Sequence, residues 1–351
     1  MTKSVRDPSV TRSSIRDVAA AAGVSVSTVS RALNGYEDVN AETRIKIEVT
    51  AERLGYRPSY AAAMLRRNQT ETVTFIVSKP WTKYVDPYFL GILDGLELAL
   101  SAQNYDLQVL MARDFDTEFD VVRRVVDRNR TDALIFARTR PVDERVDWLE
   151  ARGFPFATVG RTLRDSHSFL DRDQARLGRE SVRRLVTLGH RRIGLLTTPL
   201  RYMYTQLTLQ GIHEEMALCG LSPDPALQVE CFLSRKTGED AVLELFTRGR
   251  RPTALICGND LIAISAMEGL RKLGLRPGED VALIGCDDIP VAAFVRPALT
   301  TFSLDLESVG IRLGRMILAR LGGDMEPKQE LVPAQVVIRQ SDCPGGDFSE
   351  A

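Results

Sequence analysis

Residues 14–34 read Ser-Ile-Arg-Asp-Val-Ala-Ala-Ala-Ala-Gly-Val-Ser-Val-Ser-Thr-Val-Ser-Arg-Ala-Leu-Asn, a string with few ways to fold. Ser14 can cap a helix, and Ile15, Val18, Ala19 and Ala22 follow at the spacing of one buried helical face. Gly23 ends that helix because it tolerates a left-handed backbone. Ser25 can cap a second helix that turns Val29, Ala32 and Leu33 inward. Two short helices across a tight Gly turn predict a helix-turn-helix, whose second helix lies in a DNA major groove. Asn40 opens a predicted third helix reaching Leu54, with Ile47, Thr50, Ala51 and Leu54 on the shared face.

Charge fits a DNA-binding head. Residues 1–70 carry 11 Lys/Arg against 7 Asp/Glu, whereas the remainder carries 35 against 40. A basic head on an acidic body confines phosphate contact to the head. The five cysteines show no metal-ligand spacing, and no run of about 18 apolar residues offers a membrane span. Without a signal-like apolar start, the chain is expected to be cytoplasmic, with no cofactor, no metal and no membrane partner.

From residue 71 strands alternate with helices. Strands are predicted over Thr72–Val77, Tyr105–Met111, Asp132–Ala137 and Phe154–Val159, then over Arg192–Leu196, Leu227–Cys231, Thr253–Cys257 and Asp280–Gly285. Two successive βα series predict two doubly wound parallel sheets, with a final helix (306–321) and strand (330–339) crossing back between them. Such sheets bind ligands beyond the carboxyl ends of their strands, so two of them facing each other enclose a cleft. The strand ends nominate Gly160-Arg161, Asn259-Asp260 and Asp287-Asp288, whose amide, carboxylate and guanidinium groups suit a hydroxyl-rich ligand.

The string "SIRDVAAAAGVSVSTVSRALNG…VNAETRIKIEVTAERLGYRPSYAAAMLRRNQT" resembles the head and hinge of the lactose-repressor (LacI/GalR) family across about 56 residues. The resemblance implies base reading by Val26, Ser27 and Arg31, and phosphate contact by Ser25, Thr28, Ser30 and Asn34. For Arg31 the chemistry agrees: it stands one turn after Ser27 on one face, and an Arg can grip guanine O6 and N7 in a bidentate fork. Residues 59–66 match the family's hinge helix, with Leu65 at the position that wedges into the minor groove. The implied organisation is a helix-turn-helix domain over 14–58, a hinge and linker over 59–70, and an α/β effector domain over 71–341. Its lobes would be 71–160 with 303–330, and 161–302 with 331–341. Two periplasmic-binding-protein-like, doubly wound subdomains behind an all-α head are the expected fold class.

In the body, "LICGNDLIAISAMEGLRKLG" and "DVALIGCDDIPVAAFVRPALTTF" are similar to the family's effector-domain signatures, and place Asn259 and Asp287 at ligand-contacting positions. "SFLDRDQARLG" adds Asp171 and Asp173, and Phe294 matches a position near the cleft. The aromatics Trp81, Tyr84, Tyr88, Phe89, Tyr202 and Tyr204 can stack on a sugar ring or pack in the core. One departure matters. Thr208 stands where relatives carry an effector-gripping Arg, and Ile212 replaces an aromatic, so Arg161 is a candidate for the missing cation.

The chain shows no GxGxxG after a strand, no GxxxxGK[ST], no GxSxG and no HExxH, and its three histidines are scattered. That argues against an enzyme. The expected function is a homodimeric, sequence-specific regulator, a repressor of a carbohydrate-catabolic operon that binds operator DNA and a small-molecule sugar effector. The alternative is a sugar-binding sensor that acts without operator recognition.

Overall fold

The computed structural model describes residues 13–33, 35–36, 38–56, 69–78, 87–113, 117–231, 237–247 and 251–342, in two units that divide between Thr70 and Glu71. Among the described residues, the first unit holds three helices, α1 (Ile15–Ala22), α2 (Val26–Leu33) and α3 (Ala41–Arg53). Ser14 and Asp17 form a reciprocal capping box at the start of α1, and Gly23 closes that helix with φ of 69°. Asn40 Oδ1 accepts from the Thr43 amide at 2.7 Å and starts α3. Val18, Ala22, Val29, Ala32, Ile47 and Ala51 meet in one small core that fixes α2.

The second unit holds two lobes. In the first, β2 (Asp106–Ala112), β1 (Thr72–Ser78), β3 (Ala133–Ala137), β4 (Phe156–Val159), β5 (Ser168–Arg172) and β11 (Gln329–Val332) form one parallel sheet in that order. Helices α4 (Pro87–Ser101) and α11 (Leu306–Leu321) cover one face, through Phe75, Ile92, Leu96 and Leu313. On the other, α5 (Glu118–Asp127) and α6 (Glu144–Glu150) pack on Ile76, Leu134 and Phe136.

The second lobe is the parallel sheet β7 (Gln228–Glu230), β6 (Ile193–Thr197), β8 (Ala254–Cys257), β9 (Ala282–Ile284). Helices α7 (Gln174–Thr187) and α8 (Met203–Leu218) lie on one face and α9 (Gly238–Thr247) and α10 (Asp260–Lys272) on the other. β10 (Thr301–Ser303) and β12 (Gln335–Val337) pair antiparallel beside it. α7 and α8 cross at their glycines: a Cβ on Gly211 would sit 1.9 Å from the Ala175 carbonyl oxygen. No side chain larger than hydrogen fits there without moving a helix.

Two boundaries differ from the expected ones. The segment 168–172 is a strand of the first lobe, hydrogen-bonded between β4 and β11, so the lobe change falls after Arg172 and not at residue 160. Asp171 and Arg172 interrupt what would otherwise be a readable apolar run. The expected final strand 330–339 is two strands in different sheets, split at Pro333, which has no amide hydrogen to donate to a ladder. No described helix is long and apolar enough to cross a membrane.

Candidate functional site

In the head, Ser25 caps α2 by accepting from the Thr28 amide at 3.1 Å, and its hydroxyl lies 2.7 Å from that of Ser27 and 2.8 Å from that of Thr28. Val29 and Ala32 are buried, which turns Val26, Ser27 and Arg31 outward; Val26 is 41% exposed although apolar. Arg31 is ion-paired with Asp38 and its guanidinium lies 5.7 Å from the Tyr36 ring centre. To contact a base edge, an arginine so placed would have to leave Asp38. Ser30 is half-buried on the same helix. Asn34 and Leu65, together with Trp81 and Tyr84, lie outside the described residues.

In the body, a cleft of about 90 Å³ opens between the lobes at the carboxyl ends of β3, β4, β5, β6, β8 and β9. The first lobe contributes Tyr88 and Phe89 from the start of α4, Arg138 after β3, and Asp171 and Arg172 from β5. The second contributes Gln174, Thr198, Tyr204, Asn259 and Asp287. Each polar group is held by a partner. Arg161 Nε donates to Asp171 Oδ2 at 2.9 Å, and Arg172 Nη1 donates to Asp287 Oδ1 at 3.0 Å across the two lobes. Asn259 Oδ1 accepts from the Ile262 amide at 2.8 Å and caps α10, so its amide group is what it can offer a ligand. Asp287 has φ of 114°, a left-handed backbone unusual for a residue with a side chain, as ligand sites often hold.

Burial sets the protonation states. It pushes the Tyr88 and Tyr204 hydroxyls well above the usual range, so both remain donors. Burial also raises the Asp171 carboxyl, against the pull of Arg161. At Arg172 burial opposes the charge, but the Asp287 carboxylate beside it favours the charge, and the guanidinium stays protonated.

Behind the cleft, Asp260 accepts from the Ile289 amide at 2.8 Å and from the Thr301 hydroxyl at 2.5 Å. Burial and then the Asp287 charge push its carboxyl up from 3.8 to about 8. A folded-state value above the unfolded one gives a contribution fully present below about pH 4 and lost as pH rises through about 8. Melting temperature of the wild type is therefore expected to fall from about pH 5 to about pH 9, and Asp260→Asn to flatten that slope. A slope that survives the substitution would assign it to other groups.

Of the candidate effector residues, Tyr88, Phe89, Asp171, Tyr204, Asn259 and Asp287 line the cleft. Four others do not. Arg161 stands behind Asp171 and orients it. Asp173 caps α7, accepting from the Arg176 amide at 3.0 Å, so the helix start uses its carboxylate. Thr208 faces a recess behind the cleft and its hydroxyl donates to the Tyr204 carbonyl at 2.9 Å. Phe294 is 77% exposed after a short 3-10 turn, away from the cleft, because that turn buries Ala292 instead. Tyr202 is buried and stacks on Tyr204 with ring centres 5.4 Å apart.

Sequence reasoning passed over Arg138, Arg172, Gln174 and Thr198. Arg138 and Thr198 follow directly on strand ends, the same signal that nominated Gly160 and Asn259. Arg172 stands between Asp171 and Asp173 in SFLDRDQARLG, where a charged residue has no signal of its own. Among the described residues, no group of three or more His, Cys, Asp or Glu is placed to hold a metal ion.

Residues 14–59 match the profile described as bacterial regulatory proteins, lacI family, and residues 182–341 match a periplasmic binding protein-like domain. The HTH-type transcriptional regulator CelR of Thermobifida fusca is 30% identical over 94% of this chain and 98% of its own length. AglR of Rhizobium meliloti (strain 1021), another HTH-type transcriptional regulator, is 31% identical over 95% and 96%. A solved CelR–cellobiose complex superposes with TM-score 0.72 at 29% identity, covering 94% of this chain and all of that one. The lac repressor dimer bound to operator and the anti-inducer ONPF gives TM-score 0.81 at 26% identity, covering 95% and 99%. With a helix-turn-helix head and a two-lobed cleft in one chain, and relatives that match both from end to end, this protein belongs to the lacI family of bacterial regulatory proteins, DNA-binding regulators of transcription.

Proposed function

We propose that the protein is a cytoplasmic repressor of a carbohydrate-catabolic operon, which binds a near-palindromic operator as a homodimer and is controlled by a sugar effector in the cleft. The cleft carries this reading. Carboxylates, guanidinium groups, an amide and tyrosine hydroxyls converge there beside the Phe89 ring, the mixture that a ring with several hydroxyls requires. The solved relatives support it: one holds cellobiose, the other is a dimer on operator DNA. Pairing of two copies is further supported by the edge strand β2, which exposes Val109 and Met111, and by Leu90 and Leu98 exposed on α4.

Footprinting of the purified protein on the DNA upstream of its own gene and neighbouring genes tests the reading. Two protected half-sites about one or more helical turns apart are expected. Protection of a lone half-site would refute the dimer. No protection at low salt, with saccharide binding intact, would favour a sensor without operator recognition.

A further inference from the structure

Behind the cleft lies a second, smaller recess of about 30 Å³ that shares Arg172, Gln174, Thr198, Tyr204 and Gly258 with it. The walls that belong to the recess alone are mainly apolar, among them Leu177, Leu209, Ile212 and Cys286. That space admits a hydroxymethyl-sized group and no second ring. Arg172 stands at the junction. Its side chain is only 8% exposed, its Nη1 is committed to Asp287 at 3.0 Å, and its guanidinium lies 5.6 Å from the Tyr88 ring centre. Yet among the described residues its Nε has no hydrogen-bond partner. A buried N–H left unsatisfied costs free energy, and such groups are rare unless something else binds them.

Resting on the sugar-effector reading above, we propose that Arg172 is the specificity-determining residue of the cleft: through Nε it reads one neutral oxygen of the effector at the mouth of the recess. Three observations lead there. The Nε is buried and unpaired, so a ligand acceptor gains a bond without displacing a protein one. The Asp287 carboxylate already balances the Arg172 charge, which favours a hydroxyl or ring oxygen over an anion at this point. Thr208, which lines the recess, spends its hydroxyl on the Tyr204 carbonyl and lies near Gln174 Oε1, so that hydroxyl is already engaged. A saccharide without an oxygen at that point leaves Nε unpaired, which is how one site rejects a near-identical sugar.

The test is calorimetric titration of the full-length protein with glucose, galactose, xylose, cellobiose, maltose and raffinose. It is followed by Arg172→Lys, which keeps a charge opposite Asp287 but lacks the fixed Nε donor. The variant is expected to bind the tightest saccharide roughly 10- to 100-fold more weakly. A deoxy analogue of that saccharide lacking the contacted oxygen should bind wild type and variant alike, a readout that a merely structural role would not produce. Equal affinity of wild type and variant for the parent saccharide would overturn the assignment. Should the lysine variant not fold, a crystal structure of the wild-type complex decides: a saccharide oxygen within about 3.2 Å of Nε supports the proposal, and a bare Nε overturns it. If no saccharide binds the wild type, the sugar-effector reading itself fails, and this inference with it.

Discussion

Arg145→Met is expected to remove about 3–5 kcal/mol from the stability of the first lobe, read as a shift in its urea-unfolding midpoint. Arg145 is 2% exposed, the largest fully buried side chain in the protein among the described residues. Its Nη1 meets Glu118 Oε2 at 2.8 Å, and its Nε and Nη2 grip the two Asp143 oxygens at 2.9 and 2.6 Å. It also lies over the Phe136 ring, 4.4 Å from the centre, and donates to the carbonyls of Ala137 and Arg138 at the end of β3. Methionine fills similar volume but leaves two buried carboxylates without their cation, and that uncompensated charge is what makes the effect large. The pH dependence has a definite sign. Burial would raise the Asp143 carboxyl, but the hydrogen bonds and charge of Arg145 outweigh it and hold it below the ordinary range. A depressed carboxylate stabilises above its unfolded value and loses that contribution as pH falls through the folded one. The difference between wild type and variant should therefore be greatest near neutrality and shrink in acid. A loss below about 1 kcal/mol at neutral pH would mean that water reaches the triad.

The second large effect belongs to Arg31. Arg31→Ala is expected to cost about 1–3 kcal/mol of operator affinity, and to relax the preference at a single base pair of each half-site. The guanidinium is exposed, and the partners that hold it in the free head are Asp38 and the face of Tyr36. An exposed ion pair of this kind contributes little to folding, so the head should melt almost unchanged while specificity falls. Competition binding against single-substituted operators separates the roles. A uniform loss over all sequences would make Arg31 a phosphate contact. Asp38→Ala provides the converse, since it frees Arg31 and should leave operator binding unchanged or tighter.

The head was legible because local rules determine it: a cap, a Gly turn and one apolar face over each helix. The alternation of the two sheets was legible for the same reason. The cleft was readable only in part. Asn259 and Asp287 follow apolar strands and announce themselves by position. Arg172 and Arg145 look like ordinary surface charges in the chain, because what buries them is distant. The Arg172 partner Asp287 is 115 residues away, and Arg145 needs Glu118 from the preceding helix. The strand Ser168–Arg172 was missed because the two residues that serve the cleft are the two that spoil its hydrophobic pattern. Phe294 failed for the opposite reason. Likeness of a motif carried the residue to the cleft, whereas local burial of Ala292 turned its ring outward.

In the proposed function, occupancy of the cleft changes the grip of the head on DNA. Fluorescence anisotropy of a labelled operator, titrated with full-length protein at fixed salt with and without the saccharide that calorimetry identifies, measures this coupling directly. A shift of about 5- to 150-fold in operator affinity is expected, with a reciprocal shift of the same factor in saccharide affinity when operator is present. Identical operator affinity with the cleft empty and saturated would rule out that coupling.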